Sequence, residues 1–255
     1  MRIFKALLVL ILMILISTGC NSKSNQNKNL PETTVSSESE QITADEPQTK
    51  TGVKLVESIT DENATIQFEY DDQYRVVKTT YYYEDSKTPG TILTFTYNSA
   101  GGIDVKALVG NPFIPSYVNH GQLITQQTEY ATYLYTINSD GNIIKSETQY
   151  EPGVTNEEQY VFEYINGNKI REWMDGGEIE YKHDNNPTPF ANCESPRWFL
   201  WGKGNRNNII ESIPAPEGDP QRYIFQYDYD GFPISMTTTH GSGDTSTVIY
   251  KYFYK

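Results

Sequence analysis

Phe225-Gln226-Tyr227-Asp228-Tyr229-Asp230-Gly231-Phe232-Pro233-Ile234 decides the fold. Two aromatics stand one residue apart, a turn cluster follows, and an aliphatic residue resumes beyond it. Four other segments repeat the pattern: Phe68-x-Tyr70 with Val76, Phe95-x-Tyr97 with Ile103, Tyr135-x-Ile137 with Ile143, and Phe162-x-Tyr164 with Ile170. Their turns contain Asp71-Asp72, Asn98-Ser99-Ala100-Gly101, Asn138-Ser139-Asp140-Gly141 and Asn166-Gly167. Asn-Gly and Asp-Gly supply the positive φ angles that tight hairpins need. The flanks alternate: Ile66, Phe68 and Tyr70 are apolar while Thr65, Gln67 and Glu69 are polar. The same holds for Tyr223, Phe225 and Tyr227 and for Val248, Tyr250, Tyr252 and Tyr254. A period of two with one polar face is a half-buried antiparallel strand.

Successive templates lie 27, 40, 27 and 63 residues apart, and the long gaps hold further strand-like pieces such as Gly177–His183. The expectation is an all-β fold, an antiparallel hairpin meander of about 10–12 strands over residues 53–255. A sheet that long must curl strongly or close into a barrel. The residues opposite the aromatics are mostly Thr, Gln, Glu, Lys and Asp, whereas a lipid-facing barrel needs an apolar outer band. The reading is therefore a water-soluble β domain. Tyr is in surplus, 20 against 10 Phe and 3 Trp. Buried Tyr hydroxyls need partners, so the aromatic face is read either as a concave wall with hydroxyls at its rim or as a ligand groove.

Working outward, residues 1–19 form a secretory signal: Arg2 and Lys5, an 11-residue apolar run Ala6–Ile16, then Ser17-Thr18-Gly19 before Cys20. Eleven residues are too few for a spanning helix, which needs about 20. Residues 20–52 read as a polar tether with four aliphatic residues and no aromatic. Such a segment buries too little to offset its ordering entropy; as a flexible chain it reaches about 30 Å. The net charge of −13 excludes nucleic acid as an electrostatic partner.

Small residues directly before Cys20 resemble the lipobox of bacterial lipoproteins, with Ser17 where that family prefers Leu. The resemblance implies lipidation of Cys20, membrane attachment through that anchor, and an extracytoplasmic location at a cell membrane or outer membrane. Asn21-Ser22-Lys23-Ser24 lacks the acidic run that sends some Bacteroidetes lipoproteins to the cell surface. Tyr227-Asp228-Tyr229-Asp230-Gly231 resembles the tyrosine–aspartate repeats of Rhs-type and teneurin-type shells. The lipobox, the tether, the Asn186-Pro187 break and the Phe225–Pro233 strand pair together resemble a group of Bacteroidetes lipoproteins with a porin-like β-barrel fold. That resemblance implies a barrel and carries no activity with it.

Two segments leave the repeat. Asn111–Gln122, with Pro112, Pro115 and Gly121, reads as a long loop. Ser195-Pro196 fits a helix start and Gly202 a stop, so a short helix or plug is expected near 195–202. Trp198, Trp201 and Trp173 are candidate stacking residues for a glycan or peptide, and Arg197 a candidate for an acidic group. The bland reading of the same residues is a plug closing one end of the sheet.

No metal and no cofactor is expected. His120, His183 and His240 lack ligand spacing, and Asp228-x-Asp230-Gly231 lacks the later ligands of a calcium loop. No catalytic residue is expected either. Cys193 has no local signature, Gly241-Ser242-Gly243 is not a nucleophile elbow, and the adjacent acids Asp71-Asp72 and Glu157-Glu158 face opposite ways on a strand. The sequence thus reads as a non-catalytic envelope binding module for a glycan, peptide or envelope protein. A hydrophobic-ligand carrier and a hydrolase are the alternatives.

Overall fold

The structure, a computed structural model, describes residues 51–255 apart from 84–85, 111–114, 129–130, 151–157, 175, 201–203, 217 and 240–242. The signal, Cys20, nearly all of the tether, Trp201 and His240 lie outside the described residues.

The chain runs through β1 (Lys54–Thr60), β2 (Ala64–Tyr70), β3 (Val76–Tyr83), β4 (Thr91–Tyr97), β5 (Ile103–Val109) and β6 (Ser116–Asn119). It continues through β7 (Leu123–Gln127), β8 (Ala131–Ile137), β9 (Ile143–Tyr150), β10 (Glu158–Ile165) and β11 (Asn168–Met174). The last five are β12 (Gly177–Pro187), β13 (Asn207–Ala215), β14 (Gln221–Tyr227), β15 (Pro233–Thr239) and β16 (Thr245–Tyr254). Each strand pairs antiparallel with the next, and β16 pairs with β1, so the sheet is a closed barrel. Closure leaves no edge strand exposed. The count is sixteen strands, above the expected 10–12. One reason is that part of the expected loop 111–122 is strand: β6, with only four residues, pairs with β7.

The repeat has a physical cause. In four hairpins the first turn residue accepts two backbone N–H groups through its side-chain Oδ1. Asp71 accepts from Gln73 and Arg75, Asn98 from Ala100 and Gly102, Asn138 from Asp140 and Asn142, and Asp228 from Asp230 and Phe232. This is the Asx-turn preference of Asn and Asp. The fourth residue takes positive φ: Gly101, Gly141 and Gly231 near +80°, and Tyr74 at +60°. All these turns lie at one end of the barrel, as does the Asn166-Gly167 turn between β10 and β11.

Just inside the turns the ladder slips, with Glu57, Val77 and Ile234 passed over in the pairing. A bulge leaves ladder groups unpaired. Tyrosines supply the missing bonds: Tyr70 and Tyr97 of the template donate to Val56 O (2.9 Å) and Val76 O (2.8 Å), and Tyr252 of β16 donates to Pro233 O (2.8 Å). These hydroxyls are part of the wall, which accounts for some of the Tyr surplus.

Alternation sorts the two faces. Inward lie Ile66, Phe68, Ile103, Ile124, Ile179, Tyr181 and Tyr223, all buried. A barrel of sixteen strands is too wide for wall side chains alone to fill, and Phe225, Tyr227, Val248 and Tyr250 are half-buried. Outward lie ion pairs: Lys78–Glu69 (2.6 Å), Lys182–Glu211 (2.6 Å), Arg222–Glu211 (3.1 Å) and Arg171 among Glu163, Glu178 and Glu180. The two cations beside Glu211 hold its carboxyl below the usual range. Beside these charges the outer wall also exposes Val161, Ile210, Ile224, Ile234 and Ile249.

Candidate functional site

The connection between β12 and β13 folds across the turn-lined end as a plug. Short turns shape it, with Ala191 N–H donating to Thr188 O, Cys193 N–H to Phe190 O and Phe199 N–H to Pro196 O. Ser195, expected to cap a helix, serves the barrel instead: its Oγ accepts the Val76 N–H at 2.9 Å and lies 2.8 Å from the Tyr97 hydroxyl. Residues 195–200 therefore make turns, and no helix forms among the described residues. Glu194 N–H donates to Tyr74 O (2.9 Å), Asn192 Nδ2 to Lys54 O (3.0 Å) and Arg206 N–H to Gly167 O (2.9 Å). Phe190 meets Phe68 edge-on at 5.2 Å, and Phe199 meets Phe95 at 5.0 Å.

Among the described residues, Trp198 and Trp173 do not form one platform. Trp198 is only 8 % exposed and belongs to the core with Ile103 and Ile124, 5.7 Å from the Tyr117 ring. Trp173 is on the outer wall at the far end of β11, where its Nε1 donates to Glu178 Oε2 (3.1 Å) and Arg171 lies 5.5 Å from its ring. Its partners are outward residues, whereas Trp198 points from the plug into the barrel core, so the two cannot share a ligand. Cys193 is buried in the plug.

Arg197 is where the structure places something open. A cleft of about 430 Å³ lies between the plug and the β8–β9 turn, lined among others by Ser139, Asp140, Glu194, Pro196, Arg197 and Trp198. A second cavity of about 80 Å³ lies between Arg197, Trp198, Phe162, Tyr164, Lys169 and Gly204. Arg197 walls both. Its Cβ approaches Gly141 beside the cleft, while its Nη1 approaches Gly167 and donates to Asn142 Oδ1 at 3.5 Å.

Behind the small cavity sits a polar network that the strand pattern did not announce. Glu172 is 3 % exposed; its Oε2 accepts from Lys169 Nζ (2.7 Å) and from the Tyr181 hydroxyl (2.7 Å). Lys169 also lies 4.4 Å from the Tyr181 ring centre. Burial, and then the Glu172 charge, push the Tyr181 hydroxyl well above its ordinary pKa. Tyr164 is raised by burial and by Glu172, with Arg197 opposing. Parity offered a signal for Glu172: it pairs with the template residue Phe162 and so shares its inward register. Nearby, Asp184 accepts from the Asn186 and Asn208 backbone and from the Tyr227 hydroxyl. Burial lowers the pKa of His183.

Asp228 and Asp230, weighed above as the start of a calcium loop, hold the Lys54 ammonium at 2.5 and 2.7 Å. That ammonium also lies 5.1 Å from the Phe232 ring centre. Among the described residues no three acidic, His or Cys side chains gather as a metal site would require.

No protein-family model and no curated protein matches the chain. Among solved structures, a porin-like protein from Bacteroides uniformis is 15 % identical, covering 79 % of this chain and 95 % of its own, with a TM-score of 0.39. A porin-like protein from Bacteroides vulgatus is 13 % identical, covering 78 % and 99 %, also at 0.39. The barrel assignment here stands on the strand pairing itself.

Proposed function

We propose that this chain is a cell-envelope lipoprotein, anchored through Cys20 and the 21–52 tether, whose barrel binds a polar ligand, a glycan or peptide, in the plug-end cleft without catalysis. The cleft carries the reading. Its volume falls within the usual 300–1,000 Å³ of ligand sites. It joins hydrogen-bond acceptors (Asp140, Glu194) and the Ser139 hydroxyl to apolar surface from Ile137, Pro196 and the stem of Arg197. The β8–β9 turn and the bonds that tie the plug to Tyr74, Val76 and Tyr97 hold these groups in place, so little ordering cost falls on binding. The charged inner residues Lys169 and Glu172 weigh against a lipid carrier.

Two experiments test it. Mass spectrometry of the full chain from membranes reads acylation at Cys20, and Cys20→Ala moves the protein to the soluble fraction; an unmodified Cys20 rejects the anchor. A glycan and peptide array probed with the full chain in detergent reads the ligand. Asp140→Asn with Glu194→Gln is expected to lose the hit with an unchanged unfolding midpoint. Unaltered binding by that double variant rejects the cleft.

A further inference from the structure

We propose that the small cavity between Arg197 and Lys169 is a carboxylate-binding site, distinct from the cleft on the other side of Arg197. The arrangement follows from how Arg197 lies. Its stem passes Gly141 beside the cleft, and its guanidinium reaches the Asn142 and Gly167 side. A Cβ built on Gly204, which lines the small cavity, would stand 3.7 Å from the Tyr164 hydroxyl and 3.9 Å from Asn142 Oδ1. Guanidinium, phenol and Lys169 therefore converge on one space.

The charges in that space do not balance. Lys169 has its carboxylate in Glu172. Arg197 has one long bond to a neutral amide and no ion-pair partner among the described residues. Half-buried guanidinium is best satisfied by a planar acceptor that takes two parallel N–H bonds. A carboxylate beside Arg197 supplies the missing negative charge and, through its second oxygen, an acceptor for Tyr164.

Size narrows the ligand. About 80 Å³ holds two or three waters' worth of volume at about 30 Å³ each. That admits an acetate-sized group and excludes a sugar ring. The site is thus for a small organic acid.

The test uses the full chain in detergent, titrated with isotope-labelled acetate and read by NMR. Saturable binding is expected, with chloride at equal ionic strength failing to displace it. Arg197→Gln is expected to weaken it by about tenfold or more, the worth of a charge-assisted hydrogen bond. Gly204→Val keeps both cations and fills the space, and is expected to abolish binding. Acetate bound equally by wild type and Gly204→Val overturns the proposal, as does a wild type that shows no saturable binding. Should Arg197→Gln fail to fold, Gly204→Val decides alone. The cleft variants Asp140→Asn and Glu194→Gln should leave acetate binding intact, which separates this site from the cleft reading.

Discussion

The two faces of the barrel wall use polar residues in opposite ways. On the outside, charges are many, paired and solvated, as in Lys78–Glu69 and Lys182–Glu211. On the inside they are few and enclosed, as in Glu172 with Lys169 and Tyr181. An exposed pair gains little, because water and salt already screen it. An enclosed group loses its whole desolvation energy when its partner goes. The same ion pair therefore decorates one face and holds the other together.

The largest expected separation of the faces is in alkali. Burial raises the hydroxyl pKa of Tyr70, Tyr117, Tyr135, Tyr181, Tyr250 and Tyr252 above the ordinary 10.0. Below that value both folded and unfolded chains keep these protons, and the stabilisation is fully present. Above it the unfolded chain ionises while the folded one resists, so stability falls as pH climbs toward the folded values. The unfolding midpoint should drop beyond pH 10, with the tyrosinate absorbance of these buried rings appearing together with loss of β signal. Ionisation of the buried rings well before unfolding, beyond the share of exposed rings such as Tyr229, would show an inner wall open to solvent.

Next is Glu172→Gln, which leaves Lys169 enclosed without its counter-charge. Urea denaturation should register a loss of about 3–5 kcal/mol. Ile124→Ala, at a fully buried inward position, should cost about 2–5 kcal/mol, while Ile224→Ala on the outer wall, 64 % exposed, should stay within about 0.5 kcal/mol. Similar losses at both isoleucines would overturn the assignment of faces. Ser195→Ala removes the acceptor of the Val76 N–H and should cost about 1–3 kcal/mol, loosening the plug before the barrel in hydrogen exchange. Smallest is Lys78→Ala, expected to cost less than about 1 kcal/mol and to fade further in salt.

Strand type and inward parity were legible because Asx turns and alternating aromatics are local features. Phe68, Tyr97 and Phe225 fall where the pattern puts them. The strand number was not legible. The template marks one end of each hairpin, so strands such as β6 and β13, which end in irregular connections, carry no matching motif. The plug was legible as a break in pattern around Ser195-Pro196, but its conformation depends on Val76 and Tyr97, far away in sequence. Trp173 and Trp198, both stacking candidates by residue type, stand apart in the structure. Their separation onto opposite sides of the wall depends on register, which residue type alone does not give.

Every strand pairing but one joins segments that are neighbours along the chain. The exception is β1 with β16, where Val53 and Lys255 exchange backbone bonds of 2.9 and 3.0 Å. Gly52 lies so near that a methyl there would come within 2.7 Å of Lys255 O. Assembly can thus zip hairpin by hairpin, leaving a single long-range step in which the ring shuts and the loop-closure entropy of the whole chain is met at once. A covalently circularised form, joined by a few residues across this junction, would make that step local and should refold faster. Nicking such a ring at any of the other turns would yield permuted chains with the same wall.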